Sequence, residues 1–139
     1  MSHFSKKEFA CHCGCGYDDI HKQVVTFLEV VRNIIGQPIM VNSGCRCPSH
    51  NKAVGGKPHS YHLAGMAADV RTDWSKTTKK RFAFVLSCYF NGLIEYDDFF
   101  HIDVRGYRFH QLKGGKDLVQ DEGFPTDGGP ESVQPIAQG

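Results

Sequence analysis

Apolar positions recur along this chain with two different periods, and the changes between them mark its elements. In "DDIHKQVVTFLEVVRNIIGQP", Ile20, Val24, Phe27, Leu28, Val31, Ile34 and Ile35 return every three or four residues, the spacing of one helix face. Asp18 or Asp19 can cap this helix, and Gly36 followed by Pro38 stops it. "PIMVNS" (38–43) is a short apolar run of β-forming character. Pro48 suits a first helical turn and a Gly pair closes the segment, so a short helix is expected over 48–54. "KPHSYHLAG" reads as a loop and "MAADVRT" as the next strand. A second amphipathic helix lies in "DWSKTTKKRFAFVLSCYFNG", with a stripe of Phe82, Val85, Leu86 and Tyr89, Ser75 as its cap and Gly92 as its end. "LIEYDDFFHIDVRGYRFHQL" alternates with period two around a turn at Gly106, which predicts two or three short strands. Together these predict an α+β fold, with helices packed on a small antiparallel sheet.

The two ends depart from this pattern. Residues 1–17 are polar, irregular and rich in Cys and Gly, and from Lys113 onward Gly and Pro dominate. One domain over 1–112 and a tail over 113–139 are therefore expected. The length of 139 residues suits one modest core, and a 40% hydrophobic content is too apolar for a disordered chain. A formal net charge of +1 gives no electrostatic footprint of a nucleic-acid binder, and "KTTKKR" (76–81) reads as a solvated helix face. No apolar stretch approaches the ~20 residues that span a bilayer. "MSHFSKKEFACHC" has no apolar run after its lysines, so synthesis in the cytoplasm without a secretory signal is expected.

The chemistry concentrates in "HSYHLAGMAADV" and "DDFFHIDVR". Catalytic zinc takes three protein ligands from His, Asp and Glu and keeps a fourth position open. His62, Asp69 and His101 are candidates for such a set, although His62 and Asp69 alone also fit a hydrogen-bonded turn. Three residues before His101 stands Asp98, with Asp97 as its competitor. A carboxylate close to a metal but not bound to it can take a proton from the attacking water and pass it to the leaving amine. Arg46, at a strand-to-loop junction, is suited to hold a substrate carboxylate through two hydrogen bonds, or else to brace the helix that follows. His50, His59 and His110 read as surface or supporting residues.

These motifs resemble the zinc D-alanyl-D-alanine carboxypeptidase family, which includes phage endolysins and shares its fold with the hedgehog signalling domain. The resemblance runs from about residue 4 to 110, and rests on Ser43-Gly44-Cys45-Arg46, Ser60-Tyr61-His62, then Asp69, Asp98 and His101. It implies one catalytic Zn2+ on His62, Asp69 and His101, and Asp98 as general base and acid. It also implies Arg46 at the substrate's terminal carboxylate or scissile carbonyl, and Ser60 as a supporting or substrate contact. The activity it implies is hydrolysis of a peptide bond in peptidoglycan stem peptides, by a monomer acting at the bacterial wall in a phage or prophage lysis or tail-associated role. A non-catalytic binding or structural domain on the same fold is the alternative. Two positions depart from the family: Cys45 stands where Tyr is usual, and Phe99 and Phe100 stand where some members carry a second histidine.

The cysteines leave three readings open. Three or four of Cys11, Cys13, Cys15, Cys45 and Cys47, with or without His12, can hold a second, structural zinc; the two clusters can instead form one or two disulfides between them, or remain free thiols. Spacings of a single residue are poor for the usual Cys-x-x-Cys knuckle. No Cys-x-x-Cys precedes a helix, which argues against a redox protein.

Overall fold

In the computed structural model, which describes residues 3–112, the first apolar stripe folds as helix α1, Lys22–Ile35. The expected tail at 113–139 lies outside the described residues. Val24, Leu28, Val31 and Ile35 are buried, whereas Ile34, counted on the same stripe, turns outward. The cap is His21 and not Asp18 or Asp19: the His21 ring accepts the N–H of Gln23, and the His21 backbone N–H donates to the Gly65 carbonyl. Strand β1, Met40–Ser43, is shorter than the run that predicted it. Helix α2, Pro48–Ala53, starts at the expected proline and takes Cys47 as its cap. Within the expected loop, Tyr61–Ala64 forms one 3-10 turn. Strand β2 follows at Ala67–Arg71.

Helix α3 spans Lys79–Tyr89. Its cap is Thr78, whose hydroxyl accepts the Arg81 N–H, because Ser75 is engaged elsewhere: both its N–H and its hydroxyl donate to Asp73. The helix also ends before Gly92. Phe90 leaves helical geometry and is fully buried, so the core takes its side chain and ends the helix, and Gly92 opens the next strand. Strands β3 (Gly92–Glu95), β4 (Phe100–Asp103) and β5 (Phe109–Leu112) complete the described chain.

The five strands form one sheet in the order β1-β2-β4-β3-β5. The expected antiparallel sheet is corrected here to a mixed one, because β5 runs parallel to β3. From β4 the chain crosses the end of β3 and returns on its far side. Asn91 and Arg108 hold this crossing, through bonds to the Arg105, Phe90 and Ser87 carbonyls. Period-two alternation then divides the sheet into two faces. Ala68, Val70, Leu93, Phe100 and Ile102 join Val24, Leu28, Phe82 and Leu86 in one apolar core beneath α1 and α3. Each large side chain fully buried there contributes about 1.5–3 kcal/mol. The intervening positions, Asp69, Ile94, His101 and Asp103, face the other way.

Candidate metal centre

That second face gathers the chemistry. Strand β4 is central and pairs with β2, and their register sets Asp69 directly opposite His101 and Ala67 opposite Asp103. His62 reaches the same spot from the 3-10 turn over this face. Fully buried Ser60 caps that turn, its hydroxyl accepting the His62 N–H, so it positions the histidine and is not open to a substrate. His62 Nε2 lies 3.2 Å and His101 Nδ1 3.3 Å from Asp69 Oδ1. The two rings meet edge to face with centroids 5.2 Å apart, and all three residues are buried.

The outward nitrogens are fixed as well. His62 Nδ1 is 2.7 Å from the Gly44 carbonyl, which can only accept, so this nitrogen carries the proton. His101 Nε2 is 2.7 Å from Asp103 Oδ2. Asp103 in turn receives two bonds from the Arg105 guanidinium, Nε at 2.8 Å and Nη2 at 2.6 Å, and a third from the Arg105 backbone N–H at 3.1 Å. Burial alone would raise the Asp103 carboxyl, but Arg105 and then His101 hold it well below the usual range, so it is ionised and accepts. Each imidazole therefore turns a lone pair toward Asp69, the state a metal ligand needs. Burial works against ionisation of the Asp69 carboxyl; in the metal-free chain positive charge and N–H donation from His62 and then His101 outweigh it, a role that a bound cation would take over once those nitrogens turn their lone pairs to it.

Asp103 and Arg105 are functional residues that sequence reasoning passed over. Their signal was the alternation His101, Asp103, Arg105, which places all three on one side of an extended segment. The Arg105 guanidinium is buried between Tyr61 and Phe109, 4.6 Å and 4.4 Å from their ring centroids. Gly92 sits opposite Asp103 across the β3–β4 ladder, and a Cβ there would overlap the Asp103 carboxylate.

Arg46 comes to the cluster from the loop after β1. Its Nη2 is 3.4 Å from Asp69 Oδ2, its Nη1 3.0 Å from Asn51 Oδ1 and its Nε 3.4 Å from Ser43 Oγ. It thus braces α2 and contacts a candidate ligand at once. Asp98 lies in the β3–β4 connection, with a side chain 71% exposed. Its Oδ1 accepts from Arg71 at 3.2 Å and from Trp74 at 3.4 Å. Arg71 shares a face of β2 with Asp69, two residues away. Asp97, the competing carboxylate, meets Lys79 only through its main-chain carbonyl among the described contacts. Phe100 enters the core and Phe99 stacks on Tyr96, so neither offers the site a donor.

The cysteines divide differently from the expectation. The sulfurs of Cys11, Cys13, Cys15 and Cys47 converge, and no disulfide joins the cysteines of the described residues. Cys45 stands apart from that group. It is buried, its N–H bonds the Phe9 carbonyl, and burial, followed by Asp19 and Asp18, pushes its thiol up to about 11.

Two imidazole nitrogens and a carboxylate oxygen within 4.8 Å of one another are a donor set that fits Zn2+, and their number matches a centre that keeps a position open for chemistry. The fold and this cluster define the class: an α+β domain with a three-donor centre of the catalytic zinc type. A family model for peptidase M15 matches residues 2–103, and the chain belongs to that family, the zinc D-Ala-D-Ala carboxypeptidase family. It is accordingly a zinc-dependent metallopeptidase by family. The match takes in all three candidate ligands and stops short of Arg105. A search among curated proteins found none that matches the chain.

Proposed function

We propose that the chain hydrolyses a peptide bond in peptidoglycan stem peptides, with zinc held by His62, Asp69 and His101. The observation that carries this reading is the convergence of those three side chains with both imidazoles already oriented by Gly44 and Asp103. Zinc bound there supplies a Lewis acid for a peptide carbonyl and makes nearby water more acidic. Asp98 takes the proton of the attacking water and returns it to the departing amine. Its exposure and its anchor on Arg71, beside Asp69 on β2, support that role. Arg46 engages a substrate carboxylate or carbonyl, since each of its terminal nitrogens has a second N–H beyond the bonds to Asn51 and Asp69. A cleft of 290 Å3 lined in part by Pro48, Asn51 and Leu63 opens beside it and offers room for a neighbouring substrate side chain. A role in wall lysis by a phage or prophage is the biological setting this reading favours.

The test is digestion of purified peptidoglycan by the zinc-loaded chain, with products read by mass spectrometry and Asp98→Asn as the control. Release of terminal D-alanine defines a carboxypeptidase, and longer peptides define an endopeptidase. Absence of products with zinc bound overturns the proposal and leaves the non-catalytic reading. In an active enzyme, Asp98→Asn lowers kcat by about 10²–10⁴-fold with zinc content unchanged.

A further inference from the structure

The convergence of four cysteines is independent of the peptidase site. Cys11 Sγ lies 3.5 Å from Cys13 Sγ and 3.8 Å from Cys47 Sγ, and Cys13 and Cys47 are 3.6 Å apart. Cys15 completes the group. A disulfide needs sulfurs about 2.05 Å apart and joins only two of them. Four thiolates around one zinc at about 2.3 Å place neighbouring sulfurs about 3.8 Å apart, by the geometry of a tetrahedron. The observed triangle of sulfurs has that size.

The backbone explains how a Cys-x-Cys-x-Cys run gathers its thiols without a knuckle spacing. Gly14 and Gly16 both adopt the left-handed region, with φ of 85° and 94°, so the chain turns after Cys13 and again after Cys15. Bonds from the Cys11 N–H to Tyr17 O and from the Gly14 N–H to Cys11 O close the loop. The fourth sulfur arrives from the start of α2. Backbone N–H groups then point at sulfur: that of Cys47 at Cys11 Sγ and that of His50 at Cys47 Sγ, each at 3.4 Å. Such donors favour the charged thiolate, the form that binds metal.

We propose that Cys11, Cys13, Cys15 and Cys47 form a second metal site, a closed tetrathiolate for a thiophilic divalent cation, with zinc as its occupant. Four protein donors leave no position for substrate, so the site is structural. It staples the irregular N-terminal segment to the start of α2. It also fixes the segment that carries Arg46, whose own N–H bonds the His62 carbonyl.

The experiment uses the full chain, purified under reducing conditions and loaded with zinc or with cobalt(II). Metal content is expected to be about two ions per chain, one for each site. The cobalt form is expected to show intense thiolate-to-metal charge transfer in the near ultraviolet. That band should persist in His62→Ala, whose peptidase centre has lost a ligand, and vanish in the double variant Cys13→Ser/Cys15→Ser. Because the band is read on the native chain and on His62→Ala, the result does not depend on the cysteine variant folding, nor on peptidase activity. Cobalt-loaded native chain without the band overturns the site, as does a disulfide within the cluster or a band that survives the double variant. One bound ion with the band present supports the cysteine site and counts instead against the His62 centre.

Discussion

Asp69 and His101 face each other across a ladder whose register fixes their spacing, whereas Cys11, Cys13 and Cys15 sit on a loop held closed by two backbone bonds. The first cluster is buried, and both of its imidazoles are backed by a further hydrogen bond. In the second, Cys13 and Cys15 are exposed and Cys47 is half-buried. The difference follows from what each must do. A centre that leaves a coordination position open needs its ligands pre-arranged by the fold, so it is built on strands and a well-braced turn. A closed tetrathiolate can itself organise the chain that supplies it, so a loop is sufficient.

The sharpest way to break this comparison is to remove a ligand from the strand-based centre. His62→Ala should take peptidase activity below detection and lower zinc content by about one ion, while circular dichroism stays native. Retained activity would remove His62 from the centre. The next largest effect is on the scaffold. Arg105→Ala leaves the Asp103 carboxylate buried without its partner and should cost about 3–5 kcal/mol in denaturant unfolding. A loss under ~1 kcal/mol would mean that water or another cation replaces the guanidinium.

Asp103→Asn is a milder change, and should weaken zinc binding by about 10–100-fold, read by competition with a chelator. Unaltered affinity would show that the orientation of His101 does not depend on Asp103. This carboxylate also sets a pH dependence. Its pKa is lowered by folding, chiefly through Arg105 and then His101 against the opposing effect of burial. Its contribution is therefore complete above the unfolded value of ~3.9 and lost as pH falls through the lower folded value. The stability gap between the metal-free native chain and Asp103→Asn should be full at neutral pH and close below about pH 4. A gap that widens on acidification would refute this assignment. The smallest effect lies at the α3 cap: Thr78→Ala should cost about 1 kcal/mol through the lost bond to the Arg81 N–H, with neither metal site altered.

Much of this was legible along the chain, for physical reasons that differ by element. The stripe from Val24 to Ile35 announced α1 because its burial is set by local period, and Pro48 announced α2 because its ring suits a first turn. The caps were harder. His21 and Thr78 replaced Asp18 or Asp19 and Ser75, because Ser75 has its own partner in Asp73 and the chain before α1 is bound to Gly65. Candidate ligands were legible as residue types in order, while Asp103 and Arg105 were hidden in plain alternation. Sulfur geometry was not legible at all, since it depends on two left-handed glycines and on a cysteine from another element.

By itself, the sequence determined the donors: which side chains can bind zinc, which strands alternate and which helices are amphipathic. Those are properties of residue type and short-range period. Only the tertiary structure decided that Asp69 pairs with His101, that β5 runs parallel to β3, and that Cys47 and not Cys45 completes the thiol cluster. Such choices depend on strand register and on contacts between segments distant along the chain. They follow from burying one face of the sheet against α1 and α3, which leaves the opposite face for the metal centre.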